Sequence, residues 1–314
     1  PWMRKNRIFS QYLNLYQTFD TIMSDQASIL RKRFSQNNTQ PRQTASRRFR
    51  SLSLTSGKGG VGKTNIVINL AINLAKRGKK VFLIDADLGL ANIDILLNIA
   101  PQFTIEDVLT GRKHINDIII EGPVGIHILP ASSGISEMQT LSGKQQMSML
   151  RELANLKTRY DYILIDTGAG ISSNVLRFNA AADEICVVTN PEPTAITDAY
   201  ALMKIMSSKY QVHHFNLIVN QSEAAEARDV YNRLVRVLNQ FLTVDLELLG
   251  NIPRDPNFVK AVKRQEPISL SFSNSPAAKA FGKLAQQVDR QSADPVFKEK
   301  DTSFWKRLGS WKKK

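Results

Sequence analysis

Ser56-Gly57-Lys58-Gly59-Gly60-Val61-Gly62-Lys63-Thr64 follows the apolar run Ser51-Leu52-Ser53-Leu54-Thr55 and opens into Asn65-Ile66-Val67-Ile68-Asn69-Leu70. Gly57, Lys58, Gly59, Gly60, Val61, Gly62, Lys63 and Thr64 fit G-x-x-x-x-G-K-[ST] placed between a strand and a helix. Glycines let backbone N–H groups turn toward phosphate oxygens, and the helix start adds positive potential. Lys63 is expected to reach the β- and γ-phosphates, and Thr64 to offer its hydroxyl to Mg2+. The motif does not require the second lysine, Lys58, whose bland reading is an exposed loop residue.

Outward from this loop the chain alternates strand-like runs with helical periods. The runs are 51–56, 80–85, 125–129, 162–166, 184–189, 215–219 and 246–250; helical spacing shows in Ile66-Leu70-Leu74 and in Val230-Leu234-Val237-Leu238-Phe241. Near-continuous apolar strands between helices imply an α/β fold of the P-loop kind, a doubly wound, mainly parallel sheet with helices on both faces. Ligands bind such sheets at the carboxyl ends of the strands. Two runs end in carboxylates there, Leu83-Ile84-Asp85-Ala86-Asp87 and Ile163-Leu164-Ile165-Asp166-Thr167-Gly168. A helix cap or turn is the bland reading. Beside a phosphate loop, one carboxylate is expected to hold the water shell of Mg2+ and another to position an attacking water.

The net charge is +14 and uneven. Residues 1–50 hold ten basic and two acidic residues, 298–314 hold seven and two, and 51–297 are nearly neutral. The ends are therefore solvated tails, or segments that meet nucleic acid or an anionic membrane. The expected organisation is a basic N-terminal extension (1–50), an ATPase domain (51–289), then a linker and basic tail (290–314). The sequence begins with Pro1; Met3 and Met23 are candidate starts. The single cysteine, Cys186, excludes an internal disulfide or a multi-cysteine metal site and suits the cytosol. His114, His127, His213 and His214 show no ligand spacing.

K-G-G-x-G-K-T, then D-x-D-x-G-x-A-N, then an apolar strand into D-T-x-A-G resembles the MinD/ParA family of deviant Walker A ATPases over roughly residues 51–285. The resemblance implies ATP with Mg2+, a slow partner-regulated ATP hydrolase, and an ATP-dependent homodimer in which Lys58 crosses to the other subunit's phosphates. It implies catalytic roles for Lys58, Lys63 and Asp87, with Asp87 at the attacking water and Asp85, Asp166 and Thr64 near the metal. Asn220 matches an adenine contact, and Pro253 and Arg254 a second loop against the base. Gly168 departs from the family, where Pro or Ala is usual.

Asp25-Gln26-Ala27-Ser28-Ile29-Leu30-Arg31 resembles the D-Q-A-x-x-L-R element of FlhG proteins, MinD-like regulators of flagellar number and position. By that resemblance Asp25, Gln26, Ala27, Leu30 and Arg31 meet an FlhF-type GTPase. Flagellar switch-complex proteins and, in some relatives, a transcription regulator are further partners. The stretches 87–97 and 191–202 also look more like FlhG than like cell-division or plasmid-partition members. In the tail, Phe304, Leu308 and Trp311 share a helical face with Trp305 at its edge, among lysines and arginine. That pattern suits an interfacial membrane helix, and the competing reading is docking onto the protein's own core. The expected location is cytoplasmic, peripheral on the inner face of the cell membrane when ATP is bound. Direct nucleic-acid binding is not expected. The rival functions are a ParA-like DNA-segregation ATPase, a MinD-like cell-division regulator, a metal-cluster carrier, which the cysteine count disfavours, and a metabolic synthetase or kinase.

Overall fold

The apolar runs become strands because neighbours cover both of their faces. The computed structural model describes residues 49–87, 93–130, 148, 152–153, 156, 160–291 and 304–309. The chain divides into two units, 1–48 and 49–314, and the described residues all belong to the second. The motif at 25–31, residues 88–92 and Trp311 lie outside the described residues.

In chain order the strands are β1 (Arg50–Ser56), β2 (Val81–Ala86), β3 (Ile120–Glu121), β4 (His127–Leu129), β5 (Tyr162–Ala169), β6 (Glu184–Thr189), β7 (His214–Asn220) and β8 (Asp245–Ile252). Between and after them lie the helices α1 (Lys63–Lys76), α2 (Ile93–Leu96), α3 (Ile105–Leu109), α4 (Ile115–Ile118), α5 (Ser173–Ala181), α6 (Pro193–Tyr210), α7 (Ala224–Phe241), α8 (Pro256–Lys263), α9 (Ile268–Ser271), α10 (Pro276–Gln291) and α11 (Phe304–Gly309). Among the described residues one eight-stranded sheet runs β3-β4-β2-β5-β1-β6-β7-β8, parallel except for the β3–β4 pair. From β1 the chain crosses to β2 on one side, and from β5 it crosses to β6 on the other. The order therefore reverses around β1, which puts a crevice at its carboxyl end.

Strand side chains alternate between faces. Leu52, Leu54, Leu83, Leu164 and Val188 pack with α1 and α10, while Phe82, Ile84, Ile163 and Ile165 pack with Phe178 and Ala181 of α5. Ile185, Val187, Leu217 and Val219 meet α6 and α7. The α5 face of β1 is polar but satisfied. Ser53 donates to Asn179 at 2.5 Å, Asn179 donates to Thr55 at 3.1 Å, and Ser51 donates to Asp183 at 2.7 Å. This seam fixes α5 in register along the central strand.

The seven expected strands form, some up to three residues longer or two shorter than their apolar runs, and the two-residue β3 is additional. In α7, Val230, Leu234 and Leu238 are buried, but Val237 and Phe241 face solvent at 37% and 62% exposure. The helix turns 100° per residue, so a stripe that long outruns one buried face.

The tail takes the competing reading in this structure. Phe304, Trp305 and Leu308 are buried on the protein's own core, with Trp305 tilted against Phe49 at 6.4 Å. Arg177 of α5 donates to the Leu308 carbonyl at 2.6 and 3.0 Å. Arg307 donates to the Ala181 carbonyl at 2.7 Å and to Asp183 at 2.5 Å. The face expected to meet a membrane is thus occupied intramolecularly in this structure. Its spacing suits any apolar acceptor, and the cluster around Phe178 and Ala181 of α5 supplies one.

Asp255 shows how the far end of the sheet is fastened. Its carboxylate caps α8 through Asn257 N–H at 2.9 Å and also accepts from Ala277 N–H, near the start of α10, at 3.1 Å. Burial works against the charge, but these backbone donors and Ser275 hold the carboxyl below its ordinary value. A depressed carboxyl contributes stability above its unfolded pKa and loses it as pH falls through the folded value. Asp255→Ala is expected to lower stability by about 1–2 kcal/mol at neutral pH, and the deficit should shrink on acidification; denaturant melts at several pH values check both.

Candidate nucleotide site

The loop between β1 and α1 sits at the crevice. Gly62 ends it in the left-handed region, φ 86°, and α1 begins with no side-chain cap and no acid in its first turn. Its first N–H groups therefore have no side chain to serve, which is the condition for an anion site. Gly59 and Gly60 have open space around them, and Gly60 has φ 80°. Gly57 and Gly62 are glycines for another reason. A Cβ on Gly57 would lie 2.2 Å from the Asp198 backbone of α6, and one on Gly62 would lie 2.4 Å from Asn220 Nδ2. Two neighbouring elements press on the loop from outside.

Lys63 points inward. Its Nζ donates to Asp166 Oδ1 at 2.6 Å, and both side chains are buried. Burial pushes the Asp166 carboxyl up, while Lys63 and the Thr64 hydroxyl favour its charged form. Asp166 Oδ2 is buried with no hydrogen-bond partner. Asp85 is the register neighbour of Asp166 on the adjacent strand. Its two oxygens accept from the backbone N–H of Asp87 at 3.1 Å and of Ile93 at 3.3 Å, so Asp85 also braces the turn after β2. Asp87 lies beside Gly168, where a Cβ would stand 3.4 Å from its carboxylate oxygen.

These positions fit a hydrated Mg2+ beside a nucleotide phosphate. A buried carboxylate oxygen is left over, a second carboxylate stands next to it, and a threonine hydroxyl opens α1. Among the described residues no three His, Cys, Asp or Glu side chains gather into a protein-only metal cage. Mg2+ commonly takes one or two carboxylates and keeps phosphate and water for the rest.

The expected base contacts are placed less directly. Asn220 is buried at the end of β7, and its Nδ2 donates to the Val61 carbonyl at 2.7 Å, so it clamps the phosphate loop. Arg254 is exposed and donates to the Gln221 carbonyl at 3.1 Å, while Asn251 and Ser222 tie Pro253's loop to the one after β7. The two loops form one rim beside Asn220.

Lys58 stands at the mouth. Its Nζ donates to Glu192 Oε2 at 2.7 Å and to Thr194 Oγ1 at 3.0 Å. The sequence did not indicate Glu192, Thr194, or Arg177 and Asp183 at the tail dock. Each partner pair is more than 120 residues apart, and no motif carries it.

Lys63→Ala is expected to abolish ATP binding. It also leaves Asp166 buried without its counter-charge, and breaking such a pair costs about 3–5 kcal/mol. Asp166→Asn in the same chain should recover most of that stability without recovering ATP binding. Nucleotide titration and thermal melts of both variants check this.

The sequence profile of a family described as an AAA domain matches residues 49–219. The chain is 41% identical to antiactivator FleN of Pseudomonas aeruginosa over 76% of its length and 85% of the relative's. It is 34% identical to flagellum site-determining protein YlxH of Helicobacter pylori over 82% of its length and 88% of the relative's. The solved septum site-determining protein MinD of Pyrococcus horikoshii, in complex with Mg-ADP, aligns at a TM-score of 0.62 and 28% identity, covering 78% of this chain and 98% of that one. The chain belongs to the MinD/ParA family of deviant Walker A P-loop ATPases, in its FlhG (FleN/YlxH-type) branch, and is an ATP hydrolase.

Proposed function

We propose that this ATPase is a nucleotide-switched regulator of flagellar number and placement, which pairs with a second copy when ATP is bound and then offers its tail to an anionic membrane. The names of the FleN and YlxH relatives support the flagellar context. One observation carries the switch: the apolar face of α11 is stowed on α5, and α5 starts at the loop behind Asp166. Ser172 caps α5, and Gly170 N–H is bonded to the Ser56 carbonyl of β1 at 2.8 Å. Nine residues later the same helix ends beside Arg307. A helix of that length spans about 14 Å, so a shift of the loop at the phosphates moves the tail's dock as a rigid strut.

The energies suit a latch. Burying three large apolar side chains contributes about 5–9 kcal/mol. Ordering six backbone residues costs about 6–12 kcal/mol, and the Arg177 and Arg307 hydrogen bonds add about 1 kcal/mol each. The favourable and unfavourable contributions are of similar size, as a latch requires.

At the phosphates, Lys63 leaves Asp166 for the β- and γ-oxygens, and the uncapped start of α1 holds the same group. Thr64, Asp85 and Asp166 would hold Mg2+, which would neutralise charge on those oxygens. Asp87 orients the attacking water. Lys58 reaches the nucleotide of the second copy, and a cation from each side offsets the desolvation of the phosphates between them. Asn220, Pro253 and Arg254 bound the base. Pairing also gives the two short tails avidity, and their basic residues suit an anionic surface. The 25–31 motif is the contact for an FlhF-type GTPase. Switch-complex proteins or a transcription regulator use the assembled dimer.

Flotation on anionic liposomes checks this. The full chain should float with ATP and sink with ADP, Lys58→Ala should sink in both, and Asp87→Ala should float and stay afloat as ATP is held unhydrolysed. A wild-type chain that sinks in both states overturns the membrane reading. Lys58→Ala that still floats with ATP overturns the cross-subunit role.

A further inference from the structure

Asn65, Asn69 and Asn73 stand four residues apart along α1, and Lys76 follows in its last turn. Asparagine is a poor residue for a helix interior. Past Lys63, Asn69 is the one polar residue among those that α1 buries, and a buried amide is costly unless it is hydrogen-bonded. The stripe converges on Ser269 of α9, which is itself buried. Ser269 N–H donates to Asn69 Oδ1 at 2.9 Å, its hydroxyl accepts from Asn73 Nδ2 at 2.8 Å, and its carbonyl accepts from Lys76 Nζ at 2.7 Å. The asparagines are braced along α1 in turn. Asn69 Nδ2 donates to the Asn65 carbonyl at 2.8 Å, and Asn73 Nδ2 to the Asn69 carbonyl at 2.7 Å. Every polar group of Ser269 is thus held by one stripe of the helix that opens at the phosphate loop. The segment that ends at α9 begins at the other rim of the site, with Pro253 and Arg254, then Asp255 and α8. Asp255 fastens the near end of this segment to α10, and Ser269 fastens the far end to α1. Apolar layers can slide, whereas directional bonds fix a register.

We propose that Asn69, Asn73 and Lys76 are positioning residues, a clamp that acts through Ser269 to set the span between the phosphate loop and the rim at Pro253 and Arg254. The inference rests on the reading of that rim as the boundary of the base. The clamp governs how well a nucleotide's base and phosphates are met at once, and leaves the chemistry at the γ-phosphate alone. A ligand that carries phosphates without a base does not sense it.

The test is calorimetric titration of the full chain with Mg-ADP and with Mg-pyrophosphate, for wild type, Asn73→Ala, Lys76→Met and Lys76→Arg. Asn73→Ala and Lys76→Met each remove a hydrogen bond to Ser269, so ADP should bind about 2- to 10-fold more weakly to them. Pyrophosphate affinity should not change. In turnover, KM for ATP should rise by a similar factor while kcat stays the same. Lys76→Arg keeps a donor and should restore the wild-type values. A stripe that merely propped the fold would lower the melting temperature and move both ligands alike, or neither. Lys76 is exposed, so Lys76→Met keeps the measurement open if Asn73→Ala does not fold. If the variants weaken pyrophosphate as much as ADP, or leave both unchanged, the clamp is overturned while the base rim stands. If the wild-type chain binds pyrophosphate as tightly as ADP, the base rim fails and the clamp with it.

Discussion

The buried ion pair between Lys63 and Asp166 organises the site. It joins the start of α1 to the end of β5, 2.6 Å apart, at the point where the strand order reverses. A lone lysine here would face an uncapped helix start with nothing to offset its charge, and a lone Asp166 would be a buried anion. The pair gives each buried group a partner and holds both side chains in place. It is also incomplete, because Asp166 Oδ2 has no partner. The site therefore has unmet capacity for a cation.

The two faces of the sheet divide the labour. On one, α1 and α10 pack a continuous apolar layer against Leu52, Leu54, Leu83 and Leu164. On the other, α5 lies along β1 on a seam in which Ser51 and Ser53 donate and Thr55 accepts. A polar seam is directional where an apolar layer is not, so in the proposed switch a movement of the loop after β5 would be transmitted along α5. Arg177, Arg307 and Asp183 receive it at the tail. Asp183 is shared, since it also accepts from Ser51 N–H at 3.0 Å. The tail dock is thus built into the fastening of the central strand.

Much of this was legible in the residues. Most strands declared themselves because they are apolar on both faces, β1 being polar toward α5, and the phosphate loop because its spacing is chemically narrow. Strand-end acids pointed to the crevice for the same reason. β3 escaped because two residues carry no period. Asn220 was read as a base contact, and its clamp on Val61 spans 159 residues that no local pattern links. Gly57 was read as a phosphate glycine, whereas the approach of α6 is what excludes a side chain. The tail shows the limit most plainly. An amphipathic face at i, i+4, i+7 states that something apolar covers it and not what. Phe304 and Leu308 find Phe178 and Ala181 in this structure, within one apolar cluster.

The link between nucleotide and tail is tested most directly by hydrogen exchange of the full chain, read at residues 304–309 and in α5, with ADP and with a non-hydrolysable ATP analogue. If α11 is a latch, its amides are protected in ADP and lose protection in the ATP state, while the core strands β1 and β5 do not change. Equal protection of α11 in both states would contradict it and make the docked tail a permanent part of the fold.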